Sequence, residues 1–406
     1  MMNRAFSSTP HLLPVELVVL QGTSLCNLNC TYCDLSVQTR KTRATMEPIL
    51  IERFFGELFK SGFVAPEVTV LWHSGEPLTL LPDYYDEAIE RILRLKDVFT
   101  PKGLSLRFGI QTNGVLIDES WCRFFKRHSD RLEVGVSCDG PGDLHDLFRV
   151  NWNGNTTHMQ TLRGMDLLHS HGIKYKVIAV VTRPTLDRPE QFYKFFFDRR
   201  EQLSGFHFNI LAAGSSPRLD LSYSAEDRAA YRSFYQRLLD LNRASHNEGR
   251  PFEILNFVQG AARILATKAT STLSFIEQAS APLRSINLDA RGNVTTFYAG
   301  LSADVLREEY GDGNGLCLGN IVEVDLEEMI RSEKLKRMMK DFAASTDACR
   351  ESCEYFSVCP GGFEILKRQS HGSFQTCETA ECVIHVKTLV DVLLDDIQAH
   401  VNSQAI

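Results

Sequence analysis

From residue 15 to about 211, short apolar runs alternate with longer stretches of helical period. Val15 to Gln21, Val68 to His73, Leu104 to Gln111, Leu132 to Ser137, Lys174 to Val181 and Phe206 to Leu211 read as strands. Between them, Glu47 to Lys60, Tyr84 to Leu95, Glu119 to Arg127, Thr157 to His171 and Glu190 to Arg200 repeat their apolar positions at helical spacing. Six such repeats predict an α/β unit over 1–221, a parallel sheet with its helices outside. Ligands of such sheets sit at the carboxyl ends of the strands, where the connecting loops converge. Residues 222–284 read as a helical bridge, with Ala225 to Leu241 and Leu255 to Lys268 its strongest stretches. From about residue 285, glycine punctuation and dense cysteine replace the helical pattern, so 285–406 is expected to be built around metal more than around a hydrophobic core. A last helix near Val383 to Ala399 is expected to pack back on the body.

Composition narrows the classes. The 406 residues are 43% hydrophobic, enough for a large core plus an appended unit. A balance of 44 basic and 51 acidic residues, net −7, argues against nucleic acid or an anionic membrane as the main partner. No apolar stretch reaches the roughly 18 to 20 residues of a membrane span, and Met1 to Pro14 lacks a secretory pattern, so a cytoplasmic protein is expected. In that reducing compartment 11 cysteines read as metal ligands rather than as a disulfide framework.

Cys26, Cys30 and Cys33 follow directly on the first strand, and their spacing can hold three corners of an iron-sulfur cube. The next cysteine, Cys122, is far away in sequence, so one iron is left to bind a small molecule; a structural zinc site is the other reading of the thiols. The segment Cys26-Asn-Leu-Asn-Cys30-Thr-Tyr-Cys33 resembles the signature of the radical S-adenosylmethionine (SAM) enzymes, with Tyr32 in the aromatic place before the third cysteine. That resemblance implies a partial (β/α)6 TIM-like barrel, a 4Fe-4S cluster and S-adenosylmethionine as cofactors. It also implies a mechanism: the open iron chelates the amino and carboxylate groups of S-adenosylmethionine, an electron splits the sulfonium bond, and the 5′-deoxyadenosyl radical takes a hydrogen atom from substrate.

Further motifs fall at strand ends. His73-Ser74-Gly75-Glu76-Pro77 resembles the family's Gly-Gly-Glu-Pro, with Ser74 in place of the first glycine, and by that resemblance holds the methionyl amino group. Gln111-Thr112-Asn113-Gly114 and Ser137-Cys138-Asp139-Gly140-Pro141 resemble strand-end segments that contact ribose and carboxylate in the maturase branch. Ser137 matches the ribose-binding serine, and Arg149 an arginine that pairs with the cofactor carboxylate.

Cys317, Cys349, Cys353, Cys359, Cys377 and Cys382 form a second field, against the isolated Cys122 and Cys138, which read as buried small hydrophobes. Gly361 and Gly362 allow close backbone approach to inorganic sulfide; zinc is the alternative occupant. This part resembles the iron-sulfur SPASM domain of peptide- and protein-modifying radical SAM enzymes. Six thiolates complete one auxiliary cluster and fall short of the eight that two would need. The family's cysteine pair around a glycine is absent from Ser285 to Ala299, and where sulfatase-maturing relatives place an aspartate base this chain has Tyr298.

The SPASM resemblance implies a ribosomally made precursor peptide as partner, and an electron donor such as flavodoxin or ferredoxin. The ending looks most like the group that joins an aromatic ring to a side-chain carbon, the cyclophane-forming and glycine-rich-repeat modifying type. Tyr298 and Asp289 are the candidates for handling the departing proton. About 14 residues precede the first strand, too few for a separate leader-binding domain. A thioether-forming or sulfatase-type maturase and a non-enzymatic iron-sulfur carrier are the competing readings.

Overall fold

In the computed structural model, which describes residues 13–99, 103–211, 223–265, 281–296 and 306–404, the period-2 apolar runs become β1 (Val15–Leu20), β2 (Val64–Trp72), β3 (Ser105–Thr112), β4 (Leu132–Ser137), β5 (Tyr175–Val181) and β6 (Leu203–Ile210). They lie in the order β6-β5-β4-β3-β2-β1, each parallel to its neighbour, with Leu20 of β1 opposite Trp72 of β2 and Trp72 opposite Ile110 of β3. One face of every strand feeds the core: Val18 and Leu20, Val68, Val70 and Trp72, Phe108 and Ile110, Val134 and Val136, Val177 and Val181, Phe206 and Phe208. The alternate positions, among them Thr69, Gln111, Glu133, Ser137 and Lys176, fall on the opposite face, which is therefore the polar one.

Helices cover the apolar face. Pro48–Ser61 starts with proline at its first turn and stops at Gly62, whose φ of 66° a side chain would resist. It buries Phe54, Phe55, Leu58 and Phe59 completely or nearly so, each contributing about 1.5–3 kcal/mol of transfer free energy. Glu119–Arg127 is capped by Asp118, which accepts from the amides of Ser120 (2.9 Å) and Trp121 (3.1 Å). Among the described residues no helix is long and apolar enough to cross a membrane.

Beyond the bridge the same sheet continues. β7 (Ser285–Leu288) pairs parallel with β1, then β8 (Asn293–Thr296) and β9 (Cys317–Asn320) follow antiparallel, extending the sheet to nine strands. The region past 285 thus begins as an edge of the barrel sheet, and it holds a 20-residue helix, Glu333–Ser352. This corrects the expectation that helical patterning fades there. Leu335, Met338, Met339 and Phe342 do form an apolar stripe, but its last two turns face inward through Ser345 and Cys349, polar side chains that break a hydrophobic periodicity. A small separate core of Tyr310, Leu316, Met338, Phe342, Ile365 and Phe374 supports it.

The bridge contributes helices Arg228–Asn247 and Leu255–Leu265; the rest of its expected second helix lies outside the described residues. Arg228, Arg232 and Arg243 of the first pair with Asp391, Asp395 and Asp396 of the final helix, Leu389–Gln404. That final helix is entered through a wider π turn, Cys382–Thr388.

Candidate functional site

The loop that leaves β1 carries the first three thiols and is tied down from two sides. Asn29 and Thr31 donate their amides to the carbonyls of Val150 (2.7 Å) and Phe148 (2.9 Å). Arg40, buried, donates Nε to the Leu35 carbonyl (3.0 Å) and Nη1 to Asn29 Oδ1 (3.0 Å). The indole of Trp152 donates to the Cys26 carbonyl (2.8 Å), and the cations of Arg40 and Lys41 stand over its ring. Neither Arg40 nor Trp152 stands out in the sequence, because both act across the fold rather than within a motif.

Burial pushes all three thiols up, Cys30 to about 11 even with the Arg149 charge drawing it down. Sulfurs in such a place stay deprotonated when a metal holds them. The Leu28 amide already points at Cys26 Sγ (3.4 Å), and an amide donor of this kind eases the charge of cluster sulfur. The loop fits three corners of a 4Fe-4S cluster.

After β2 the chain turns through Ser74 (φ 72°) and Gly75 (φ 77°). Ser74 therefore adopts the left-handed backbone that a glycine would take without strain. A Cβ at Gly75 would stand 2.6 Å from the Thr23 carbonyl oxygen and 3.0 Å from that of Leu25, in the loop that carries the thiols. Gly75→Ala is expected to destabilise the fold by about 2–4 kcal/mol and to loosen that loop. Ser74→Gly, which relieves strain, should leave stability within about 1 kcal/mol. Denaturant titration and iron content of the two variants check this pair.

Glu76 is 1% exposed and ties two strand ends together. Its Oε1 accepts from the Leu78 amide (2.9 Å) and Thr112 Oγ1 (2.7 Å), and its Oε2 from the Asn113 amide (2.8 Å). Burial nevertheless pushes this carboxyl up to about 7. Among the described residues one lone pair of Oε2 has no donor, which an ammonium group could fill. His73 beside it is pushed down to about 4 by burial, so its imidazole is neutral, with Nδ1 3.2 Å from Ser74 Oγ. Pro77 opens the turn that follows, and its carbonyl accepts from the Tyr85 hydroxyl (2.7 Å).

Asn113, at the end of β3, reaches back to the thiol loop through its Nδ2 to Asn27 Oδ1 (2.7 Å). Ser137, at the end of β4, accepts from Gln111 Nε2 (2.9 Å). The Gln111 carboxamide lies over Gly135, where a Cβ would come within 2.1 Å of it.

Asp139 lies within the strand-end motif after β4, and its role emerges only from the fold. It is 2% exposed, and its Oδ2 accepts from both the Tyr32 hydroxyl (2.5 Å) and Arg149 Nε (2.9 Å), while Oδ1 accepts from the Val180 amide (2.9 Å). Burial opposes ionisation, but the Arg149 and His145 charges and the hydrogen bonds from Arg149 and Tyr32 together more than offset it and hold this carboxyl below the usual range. Arg149 is thus anchored through Nε beside Cys30 and the Tyr32 ring. Its Nη1 and Nη2 hydrogen-bond none of the described residues, and so keep the paired donors that suit a carboxylate.

The second thiol field gathers only in part. Cys349, Cys353, Cys359, Cys377 and Cys382 line one cavity together with Gly361 and Gly362. The two glycines have φ of 103° and 150°, a backbone that side chains rarely adopt and that lets the chain wrap closely. Among the described residues no three His, Cys, Asp or Glu side chains meet at the spacing of one metal ion. Five thiols on one cavity supply the donor set that an iron-sulfur cluster would take. Cys317 is not on that cavity; it sits in β9 with Asp289, Asp312 and Lys334 as its charged neighbours. Cys122 and Cys138 are fully buried.

Asp289 holds the β7–β8 turn. It accepts from the amides of Arg291 (2.8 Å) and Asn293 (2.9 Å) and from Asn293 Nδ2 (2.8 Å). It also lines a cavity of about 410 Å³ between this hairpin and the thiol loop, with Gln21, Ser24, Ser74, Asn287 and Arg291. Tyr298 lies outside the described residues.

Residues 20–196 match the radical SAM superfamily. An uncharacterized protein of Synechocystis sp. is 30% identical over 384 residues, 94% of this chain and 92% of its own length. A cysteine-type anaerobic sulfatase-maturating enzyme of Clostridium perfringens is 24% identical over 358 residues, 86% of this chain and 88% of the relative. Among solved structures, native anSMEcpe with bound AdoMet and Cp18Cys peptide gives a TM-score of 0.73 at 21% identity, covering 96% of this chain and 99% of the other. Streptococcus suis SuiB bound to precursor peptide SuiA gives 0.61 at 16% identity, covering 92% and 76%. Structural likeness at such low identity speaks for the shared fold. The family match over residues 20–196, with the three-thiol loop at the carboxyl end of a parallel sheet, assigns that part of the chain to the radical SAM superfamily, enzymes built on a 4Fe-4S cluster and S-adenosylmethionine.

Proposed function

We propose that this enzyme is a peptide maturase that removes a side-chain hydrogen from a ribosomally made precursor and closes an intramolecular crosslink between an aromatic ring and a side-chain carbon. When bound, the cluster and S-adenosylmethionine supply the hydrogen-abstracting radical. The chain's own residues do the rest of the positioning. Glu76 offers its remaining lone pair to the methionyl ammonium, Arg149 its Nη pair to the carboxylate, Ser137 its hydroxyl to the ribose, and Asn113 and His73 close the same mouth. The cavity beside the thiol loop lies in the roughly 300–1,000 Å³ range of ligand sites, and we assign it to the peptide segment that reacts. Selectivity there is a matter of which C–H bond is held in contact.

The observation that carries this reading is the five-cysteine cavity downstream of the barrel. Forming a ring–carbon bond releases a hydrogen atom first and then one proton and one electron, so the reaction needs an electron acceptor near the peptide. A SPASM-type auxiliary cluster at Cys349, Cys353, Cys359 and one or both of Cys377 and Cys382 supplies one. Asp289, on the wall of the peptide cavity, is our candidate for the proton, with Tyr298 beyond it in sequence. The two peptide-bound neighbours support a peptide substrate. A flavodoxin or ferredoxin is the proposed source of the starting electron.

A sulfatase-type or thioether-forming maturase is the second reading, favoured by the name of the Clostridium perfringens relative. Incubation of the reduced enzyme with the peptide of a short reading frame encoded beside it separates the two. A product lighter by two hydrogens, whose fragments link an aryl group to carbon and whose cysteines still alkylate, supports the crosslink; a sulfur–carbon linkage sinks it. Cys353→Ala is expected to keep S-adenosylmethionine cleavage and to lower peptide product at least about tenfold. Unchanged yield would leave that cluster no part in turnover.

A further inference from the structure

A buried cation stands directly behind the second thiol field, where the half-buried Arg263 also lies near Cys359. Lys367, on the helix Glu364–His371, is 1% exposed. Its ammonium has three N–H groups and three acceptors: Ser345 Oγ at 2.7 Å, the Ser345 carbonyl at 3.3 Å and Cys349 Sγ at 3.1 Å. Ser345 and Cys349 are one turn apart on the same inward face of Glu333–Ser352. The serine therefore fixes the ammonium so that its third proton lies on the sulfur. Lys387, which also lines the cavity, is different in kind, since its charge is already answered by Glu378.

We propose that Lys367 is a positioning residue that raises the reduction potential of the auxiliary cluster by hydrogen-bonding the Cys349 sulfur. Taking up one electron makes the cluster and its thiolates more negative by one charge, with no bond in the protein made or broken. A buried ammonium in contact with a ligand sulfur stabilises that added charge far more than an exposed one would, because burial leaves it unscreened. Hydrogen bonds to ligand sulfur and net local charge are among the terms that set iron-sulfur potentials. Such a cluster is a better acceptor for the electron that leaves the crosslinked peptide. The inference rests on the reading of this cavity as a cluster site.

The test is a redox titration of the auxiliary cluster, followed by electron paramagnetic resonance in the full-length chain. Cys26→Ala, Cys30→Ala and Cys33→Ala are included so that one cluster alone contributes. Lys367→Met is expected to move the midpoint to more negative potential at unchanged iron content, with Lys367→Arg, which keeps the charge, lying nearer the parent. An unchanged midpoint in Lys367→Met at full iron content overturns the inference and leaves the cluster site standing. A parent chain that binds no iron overturns the site itself. Should Lys367→Met fail to hold iron, the parent grown with ¹⁵N-lysine decides: a ¹⁵N hyperfine coupling at the reduced cluster is required, and its absence overturns the contact.

Discussion

Replacing Cys30 by alanine is expected to lower reductive cleavage of S-adenosylmethionine by at least about a thousandfold, equal to about 4 kcal/mol of lost transition-state stabilisation. Cys30 is the middle thiol of the loop and packs against the small apolar cluster of Tyr32, Phe148 and Leu211. No other cysteine can take its place, since Cys138 is fully buried behind Asp139 and the five downstream thiols line a different cavity. With two thiolates left, the remaining iron-sulfur unit loses a corner and its unique iron loses definition. Iron at the downstream site should stay, so the variant separates the two centres. The measurement is methionine released per enzyme after chemical reduction, beside iron per chain. Continued cleavage at the parent rate would remove the first site from the account.

The barrel was legible because its information is local. β1, β4 and the helix Glu119–Arg127 fall within a residue of where period and capping place them. The short strands β7, β8 and β9, four residues each, were not. β7 pairs with β1 across more than 260 positions, as where Leu17 lies opposite Ser285, and no window of sequence contains both partners; β8 and β9 take their places only on β7. A unit expected to stand apart from residue 285 thus begins as part of the barrel sheet. The helix Glu333–Ser352 escapes the periodicity for a related reason, because the last turns of its inward face carry Ser345 and Cys349, which meet Lys367, in place of large apolar side chains.

The site divides the same way. Thiol spacing announces the first centre, and glycine turns mark the strand ends. The electrostatic frame beneath them is invisible in one dimension: Tyr32 meets Asp139 across 107 residues, and Asp139 meets Arg149 only after β4 has placed both. Sequence reading assigned Arg149 to a cofactor carboxylate, and the geometry adds what makes this feasible. A guanidinium buried without a counter-ion would cost more than any single ligand contact returns, so Asp139 compensates the charge through Nε and leaves the Nη edge available.

Asp139→Ala is expected to cost about 3–5 kcal/mol of folding stability, because it leaves Arg149 as an uncompensated buried charge. It also strips the Tyr32 hydroxyl and the Val180 amide of their acceptor. Asp139→Asn keeps the shape and one acceptor oxygen, so it should fall between. The double variant Asp139→Ala, Arg149→Met removes both charges and should regain a large part of the loss, since breaking a buried pair is worse than replacing it. The pH dependence has a definite sign. The folded-state carboxyl lies below its unfolded value, so its contribution is full above about pH 4 and is lost as pH falls through the folded pKa. The gap in urea midpoint between parent and Asp139→Ala should therefore be wide at neutral pH and narrow in acid. A gap under about 1 kcal/mol at neutral pH, or one that widens in acid, would mean that the Asp139–Arg149 pair does not hold the thiol loop to the sheet.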